Sequence, residues 1–179
     1  QVTKVQHLRS ILVEKDAATV TVTINGETEE VPIALDGAFD RGAIVRVAPP
    51  LPFGEALTGM VPLVALAWVR SGDKGDLFNL AVIAREPRYL PYLAAALSPE
   101  VLATRYTHLV EGVPRAVDRQ FAPGLNALNF VVRGTMGGGL AANIRFDSPG
   151  KGNGQQLLDL PVAVPAALAD QLGAVSAKA

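Results

Sequence analysis

The chain has 179 residues, of which 49% are hydrophobic and 18% charged, and its formal net charge at pH 7 is −1. This composition predicts a folded protein and, without a basic block, argues against nucleic acid as a partner. The chain has no cysteine, and its apolar runs are shorter than the roughly 20 residues of a membrane span. We therefore expect a soluble cytoplasmic protein with no membrane association, no disulfide and no cysteine metal site.

Two units are expected from the length and from a proline-rich segment near residues 49–59. Residues 1–58 form a small β-rich module in this prediction. Residues 59–165 form a larger α+β domain, and residues 166–179 are a C-terminal tail.

The first module carries a hairpin signal. Alternating polar and apolar residues over 17–24 predict a strand, Asn25-Gly26 suits a type I′ turn, and residues 29–35 return as the second strand. A third short strand is predicted over 43–47. A short helix over residues 7–13 is left open.

The second module begins with two apolar segments, residues 61–69 and 77–84, which predict adjacent antiparallel strands. Helical spacing predicts helices over 89–97 and 100–110, with Ser98-Pro99 as N-cap and first-turn proline of the second. An extended stretch is predicted over 115–121, followed by a helix over 125–132, and the Gly137–Gly139 run terminates that helical region. The remaining segments are predicted as a strand over 141–146, a short helix or turn over 155–160, an edge strand over 161–164 and a helical tail from 166.

Residues 70–76 are the most informative stretch for function, because they place two glycines, two carboxylates and two cations between the apolar segments. Gly72 and Gly75 allow positive φ and converging amides, and Arg70 and Lys74 add positive charge, which suits a phosphate or carboxylate. An ordinary solvated hairpin turn has the same composition, so both interpretations stand. Trp68, just before this stretch, is expected to be at least half buried.

No familiar catalytic or nucleotide motif is present, and His7 and His108 are distant from the glycines in sequence. We expect no metal and no cofactor. The candidate ligand-binding residues lie in two regions. The first contains Arg70, Ser71, Gly72, Asp73, Lys74, Gly75, Asp76 and Asn79, and the second contains Asn126, Asn129, Gly137, Gly138, Gly139 and Arg145. Capping and turn roles explain the second region equally well.

Several motifs, in order and spacing, resemble the C-terminal domain of the acyclic terpene utilisation (AtuA-like) proteins over about residues 62–165. These motifs are residues 70–75, 79–85, 125–132, 137–139, 144–147 with Gly150-Lys151, and 160–165. The resemblance implies a ferredoxin-like α+β domain, appended to a larger domain in proteins associated with catabolism of acyclic terpenes and branched acids as coenzyme A esters. Residues 1–58 do not resemble that larger domain, and Asp76 stands where the family usually has Asn.

The resemblance favours an accessory subunit or domain, inactive alone, that contacts an acyl-CoA or carboxylate ligand and a larger AtuA-type catalytic polypeptide, within an oligomer. The β-rich module would then be a docking surface. The alternative is a complete small lyase or hydratase, in which Lys74 or Asp73 transfers a proton and Arg70 or Arg145 holds a carboxylate. A purely structural oligomerisation module is a third hypothesis. We predict that residues 70–76 lie at one end of the sheet and come close to Gly137–Gly139.

Overall fold

A computed structural model describes residues 11–176 except residues 38, 53, 111 and 114. The described residues fall into two compact units, residues 11–46 and residues 47–176. Most of the undecided helix over residues 7–13 lies outside the described residues, and residues 11–13 have no regular structure. No helix in the described part of the chain is both long and apolar enough to cross a membrane.

The unit of residues 11–46 contains the predicted hairpin, but its strands are shorter than predicted and residues 31–35 are not strand. Strands β1 (Thr21–Ile24) and β2 (Glu27–Glu30) pair antiparallel, with φ of 54° at Asn25 and 89° at Gly26, as a type I′ turn requires. The strand predicted over 43–47 was wrong. Residues Arg41–Ala43 form a 3-10 turn in which the Asp40 carboxylate accepts a hydrogen bond from the Gly42 amide at 2.7 Å, and this cap turns the chain.

The unit of residues 47–176 is built on a four-stranded antiparallel sheet. Its strands are β4 (Ala67–Lys74), β5 (Leu77–Ala84), β6 (Val117–Ala122) and β7 (Ala127–Arg133), and their order across the sheet is β4-β5-β7-β6. A second, two-stranded sheet pairs β3 (Gly59–Pro62) with β8 (Pro161–Val164). The helices are α1 (Leu63–Leu66), α2 (Leu90–Ala96), α3 (Pro99–Arg105), α4 (Thr107–Val110) and α5 (Ala166–Ser176).

One face of the four-stranded sheet is buried. Alternate residues of β5, among them Phe78, Leu80 and Val82, are fully buried and belong to one core cluster with residues of α2 and α3. Their neighbours along the strand are only partly buried, so the opposite face, here called the open face, is accessible. This alternation is typical of an antiparallel sheet packed on one side. The arrangement confirms the α+β fold with an antiparallel sheet and packed helices that the resemblance implies.

Two secondary-structure predictions for this unit were wrong. Residues 127–133 form β7 instead of a helix, since Asn126 has φ of 48° after the 3-10 turn Pro123–Leu125 and this left-handed residue interrupts helical geometry. The strand predicted over 141–146 is a series of turns, because the amides of Ala142 and Asn143 both bond back to the Gly139 carbonyl.

The predicted cap of the second helix is confirmed. Ser98 caps α3, accepting a hydrogen bond from the Val101 amide at 3.2 Å. The apolar segment over 61–69 contains α1 as well as strand, so only its end pairs with β5.

Trp68 is 52% exposed, so the expectation that it is at least half buried was wrong. It lies on the open face, where the Arg85 guanidinium stands 4.9 Å from its ring centre.

Candidate functional site

The glycine-containing stretch is mostly strand. β4 continues to Lys74, and only Gly75 and Asp76 form the connection to β5. Gly75 has φ of 66°, as the first central residue of a two-residue type II′ turn requires. We call residues 70–77 the glycine hairpin. Its turn lies at one end of the sheet, as predicted, but the end of the first strand predicted at residue 69 was wrong, because β4 continues for five more residues.

Strand alternation distributes the predicted site residues over two faces. Register places Gly72 opposite Asn79, and Arg70 opposite Ala81, which is itself opposite Asn129. Arg70, Gly72 and Lys74 therefore share the open face with both asparagines. The side chains of Ser71 and Asp73 belong to the other face, where register places them opposite the buried residues Leu80 and Phe78.

The second glycine region closes onto the turn of the glycine hairpin. The Asp76 carboxylate accepts a hydrogen bond from the Gly138 amide at 2.8 Å, and its backbone carbonyl accepts one from the Thr135 amide at 3.2 Å. A Cβ on Gly139, where φ is 100°, would stand 3.5 Å from the Gly75 carbonyl oxygen. The predicted proximity of the two glycine regions is confirmed.

Arg145 and Asn126 have different relations to this junction. The Arg145 guanidinium donates to the carbonyl of Thr135, a buried residue that precedes the glycine run. Asn126 precedes the first residue of β7, whereas the glycine hairpin adjoins its last residue, Arg133. Six strand steps of about 3.4 Å separate these ends, so Asn126 lies about 20 Å from the junction. Its inclusion in one composite site was wrong.

Residues 147–154, here called the edge segment, run beside the free edge of β4. The Ser71 hydroxyl is buried, lies 2.6 Å from the Gly150 carbonyl and 3.0 Å from the Lys151 carbonyl, and accepts a hydrogen bond from the Gly154 amide at 2.8 Å. The Asp73 amide donates to the Pro149 carbonyl at 3.0 Å. These bonds fix the edge segment to the strand, so Ser71 has a structural role here.

Two further side chains hold the edge segment in place. The Asp147 carboxylate accepts hydrogen bonds from the amides of Lys151, at 3.0 Å, and Gly152, at 2.7 Å. The Tyr106 hydroxyl donates to the Asn153 carbonyl at 2.7 Å. Burial raises the pKa of Tyr106 well above its ordinary value, which keeps this hydroxyl protonated as a donor.

Lys151 reaches from the edge segment over Gly72. Its ammonium nitrogen lies 2.7 Å from the position that a Cβ of Gly72 would occupy, so any larger residue at position 72 would displace the ammonium. Lys151 thus joins Arg70 and Lys74, which flank Gly72 along the strand. In the part of the chain that the structure describes, none of these three cations forms an ion pair. Sequence reasoning about the site missed Lys151, although Gly150-Lys151 belongs to the motifs that carried the resemblance.

One known protein family matches the part of the chain that contains this fold and the junction of the two glycine regions. The model of the AtuA ferredoxin-like domain matches residues 61–163, more than half of the chain. The chain belongs to this family. The matched interval of the AtuA ferredoxin-like domain includes the glycine hairpin, the glycine run and the edge segment. No curated protein matches the chain, and no solved structure does.

Proposed function

We propose that this AtuA ferredoxin-like domain is an accessory subunit or domain of an assembly that metabolises acyl-CoA esters or branched organic acids. In this proposal the glycine hairpin contacts an anionic group of the ligand, and a neighbouring loop contacts a larger AtuA-type polypeptide. Family membership supports the setting of an AtuA-type protein. The contacts of the described residues support the two roles.

The apolar loop of residues 140–146 is the observation that carries the proposal. Ile144 is 100% exposed and Phe146 is 109% exposed. Large apolar side chains do not stabilise the fold when they are fully exposed to water. Exposed apolar patches mark interaction sites. Aromatic and aliphatic anchors of this kind supply much of the binding energy at protein interfaces.

Hydrogen bonds connect the apolar loop to neighbouring residues. The Asn143 side chain accepts from the Arg145 amide at 3.1 Å and donates to the Ser148 carbonyl at 3.1 Å. The Arg145 guanidinium ties the same loop to the Thr135 carbonyl. Such bonds restrict the backbone of the loop and so reduce the conformational entropy lost on binding, which suits the docking of a partner.

The position of the apolar loop links docking to the ligand. It follows Gly139 directly, and Gly139 packs against Gly75 in the turn of the glycine hairpin. A polypeptide that covers Ile144 and Phe146 therefore lies beside the hairpin that carries Lys74. This arrangement would let the accessory domain add cations to a site that the larger polypeptide completes.

Replacing Ile144 and Phe146 together by serine should weaken binding of the chain to a larger AtuA-type polypeptide by about 30-fold or more, since loss of even one anchor residue costs about 2 kcal/mol or more. Isothermal titration calorimetry measures the affinity. The matched control is Leu125→Ser, because Leu125 is also exposed, at 68%, but adjoins the opposite end of β7. Equal affinity of the double variant and the unaltered chain would contradict the proposed docking role.

A further inference from the structure

We infer that Arg70, Lys74 and Lys151 form a binding site for phosphate groups on the open face, centred on Gly72. The inference rests on the proposed function and names the part of the acyl-CoA ligand that this surface takes, the phosphates of its nucleotide end. Lys151 defines the site, because it brings a third cation from a distant segment of the chain to the strand that already carries two.

The strand geometry places the cations around one opening. Arg70 and Lys74 lie two residues to either side of Gly72 on the same face, so each Cα is about 7 Å from that of Gly72. Gly72 has no side chain, and the Lys151 ammonium stands over it. Asn79, directly opposite Gly72 in the register, adds an amide that can donate a hydrogen bond to an oxygen.

The cations of this patch favour phosphate over carboxylate, because the nearest carboxylates are engaged elsewhere. Asp76 accepts from the Gly138 amide, Asp147 accepts from the amides of Lys151 and Gly152, and Asp73 belongs to the opposite face. The register places one carboxylate in the row of Gly72, that of Asp118, which lies on the far strand β6 and is paired with Arg133 at 2.8 Å. Three strand spacings of about 4.8 Å separate it from Gly72, beyond the range of strong interaction between exposed charges. A single carboxylate would balance one of the three cations, whereas a nucleotide bisphosphate can engage all of them.

The close approach of the Lys151 ammonium to Gly72 gives a sharp test of the site. Gly72 does not have positive φ, so alanine is compatible with the backbone there. The added methyl group would occupy the position of the flexible Lys151 ammonium and displace it. Gly124→Ala is the matched control, since a Cβ at Gly124 would meet no atom within 4 Å and its φ is also not positive.

Isothermal titration calorimetry of the full chain with adenosine bisphosphate, inorganic phosphate and 3-methylbutanoate tests the inference. We expect adenosine bisphosphate to bind most tightly, and Gly72→Ala and Lys151→Gln each to weaken its binding about tenfold, as for loss of a charged hydrogen bond. Gly124→Ala and Arg88→Gln, a charge control that follows the end of β5 opposite to the glycine hairpin, should leave the affinity unchanged. Tightest binding of the carboxylate, or full affinity of Lys151→Gln, would overturn the inference.

The outcome for the phosphate site is separable from that for the proposed function. Lys151→Gln should bind the larger AtuA-type polypeptide as well as the unaltered chain does, because the variant leaves Ile144 and Phe146 in place. Normal phosphate affinity of Lys151→Gln together with normal partner binding would reject the phosphate site and retain the docking role. Circular dichroism of each variant confirms that the fold is intact, and the exposed Lys151 gives a variant with little risk to folding.

Discussion

Replacing Phe78 by alanine should lower the free energy of unfolding by about 3–5 kcal/mol, the usual cost of removing a fully buried aromatic side chain. Phe78 is 0% exposed, and its ring meets that of Tyr106 edge to face, with centroids 5.3 Å apart. The alanine variant would leave a cavity between β5 and the segment of Tyr106. Urea unfolding followed by circular dichroism measures the change.

Leu77 supplies the control for Phe78. It precedes Phe78 on the same strand but is only partly buried, on the open face, so Leu77→Ala should cost clearly less. Equal losses of stability in the two variants would contradict the assignment of the buried and open faces.

Ser71→Ala should lower the free energy of unfolding by about 1–3 kcal/mol, the cost of leaving a buried polar group unpaired. The variant removes the acceptor of the Gly154 amide and the donor that lies 2.6 Å from the Gly150 carbonyl. Ser148→Ala is the control, because the Ser148 hydroxyl makes no hydrogen bond among the described residues. Urea unfolding of both variants gives the difference, and unchanged stability of Ser71→Ala would contradict the structural role of this serine.

Local signals account for the elements that the sequence predicts well. The Asn25-Gly26 turn and the Ser98 cap are each set by residues within a few positions, and the structure contains both. β7 was predicted as a helix because the spacing of its apolar residues fits either period. Its extended conformation is determined by pairing with β5 on one side and β6 on the other. The sequence of the segment alone does not predict those partners.

The site was predictable only in part for the same reason. The composition of residues 70–76 identified Arg70, Lys74 and the glycines, and the excess of glycine in two regions predicted their proximity. The two-residue period of a strand places Ser71 and Asp73 on the face opposite Arg70. The sequence prediction ended this strand at residue 69, so the period was not applied to residues 70–74. Lys151 reaches Gly72 across a sequence separation of about 80 residues, as the bond from Ser71 to its carbonyl also does, and no local pattern predicts such a contact.

Turnover of acyl-CoA esters by the chain alone, by a larger AtuA-type polypeptide alone and by the two together tests the accessory role most directly. We predict no turnover by the isolated chain and turnover by the mixture. In the mixture, Lys74→Ala should lower kcat/KM by about 10- to 100-fold, as loss of a charged hydrogen bond of about 1.5–3 kcal/mol implies. Arg88→Ala, beyond the opposite end of β5, should not lower it. Robust turnover by the purified chain alone, lost in Lys74→Ala, would contradict the accessory role and support a complete small lyase or hydratase.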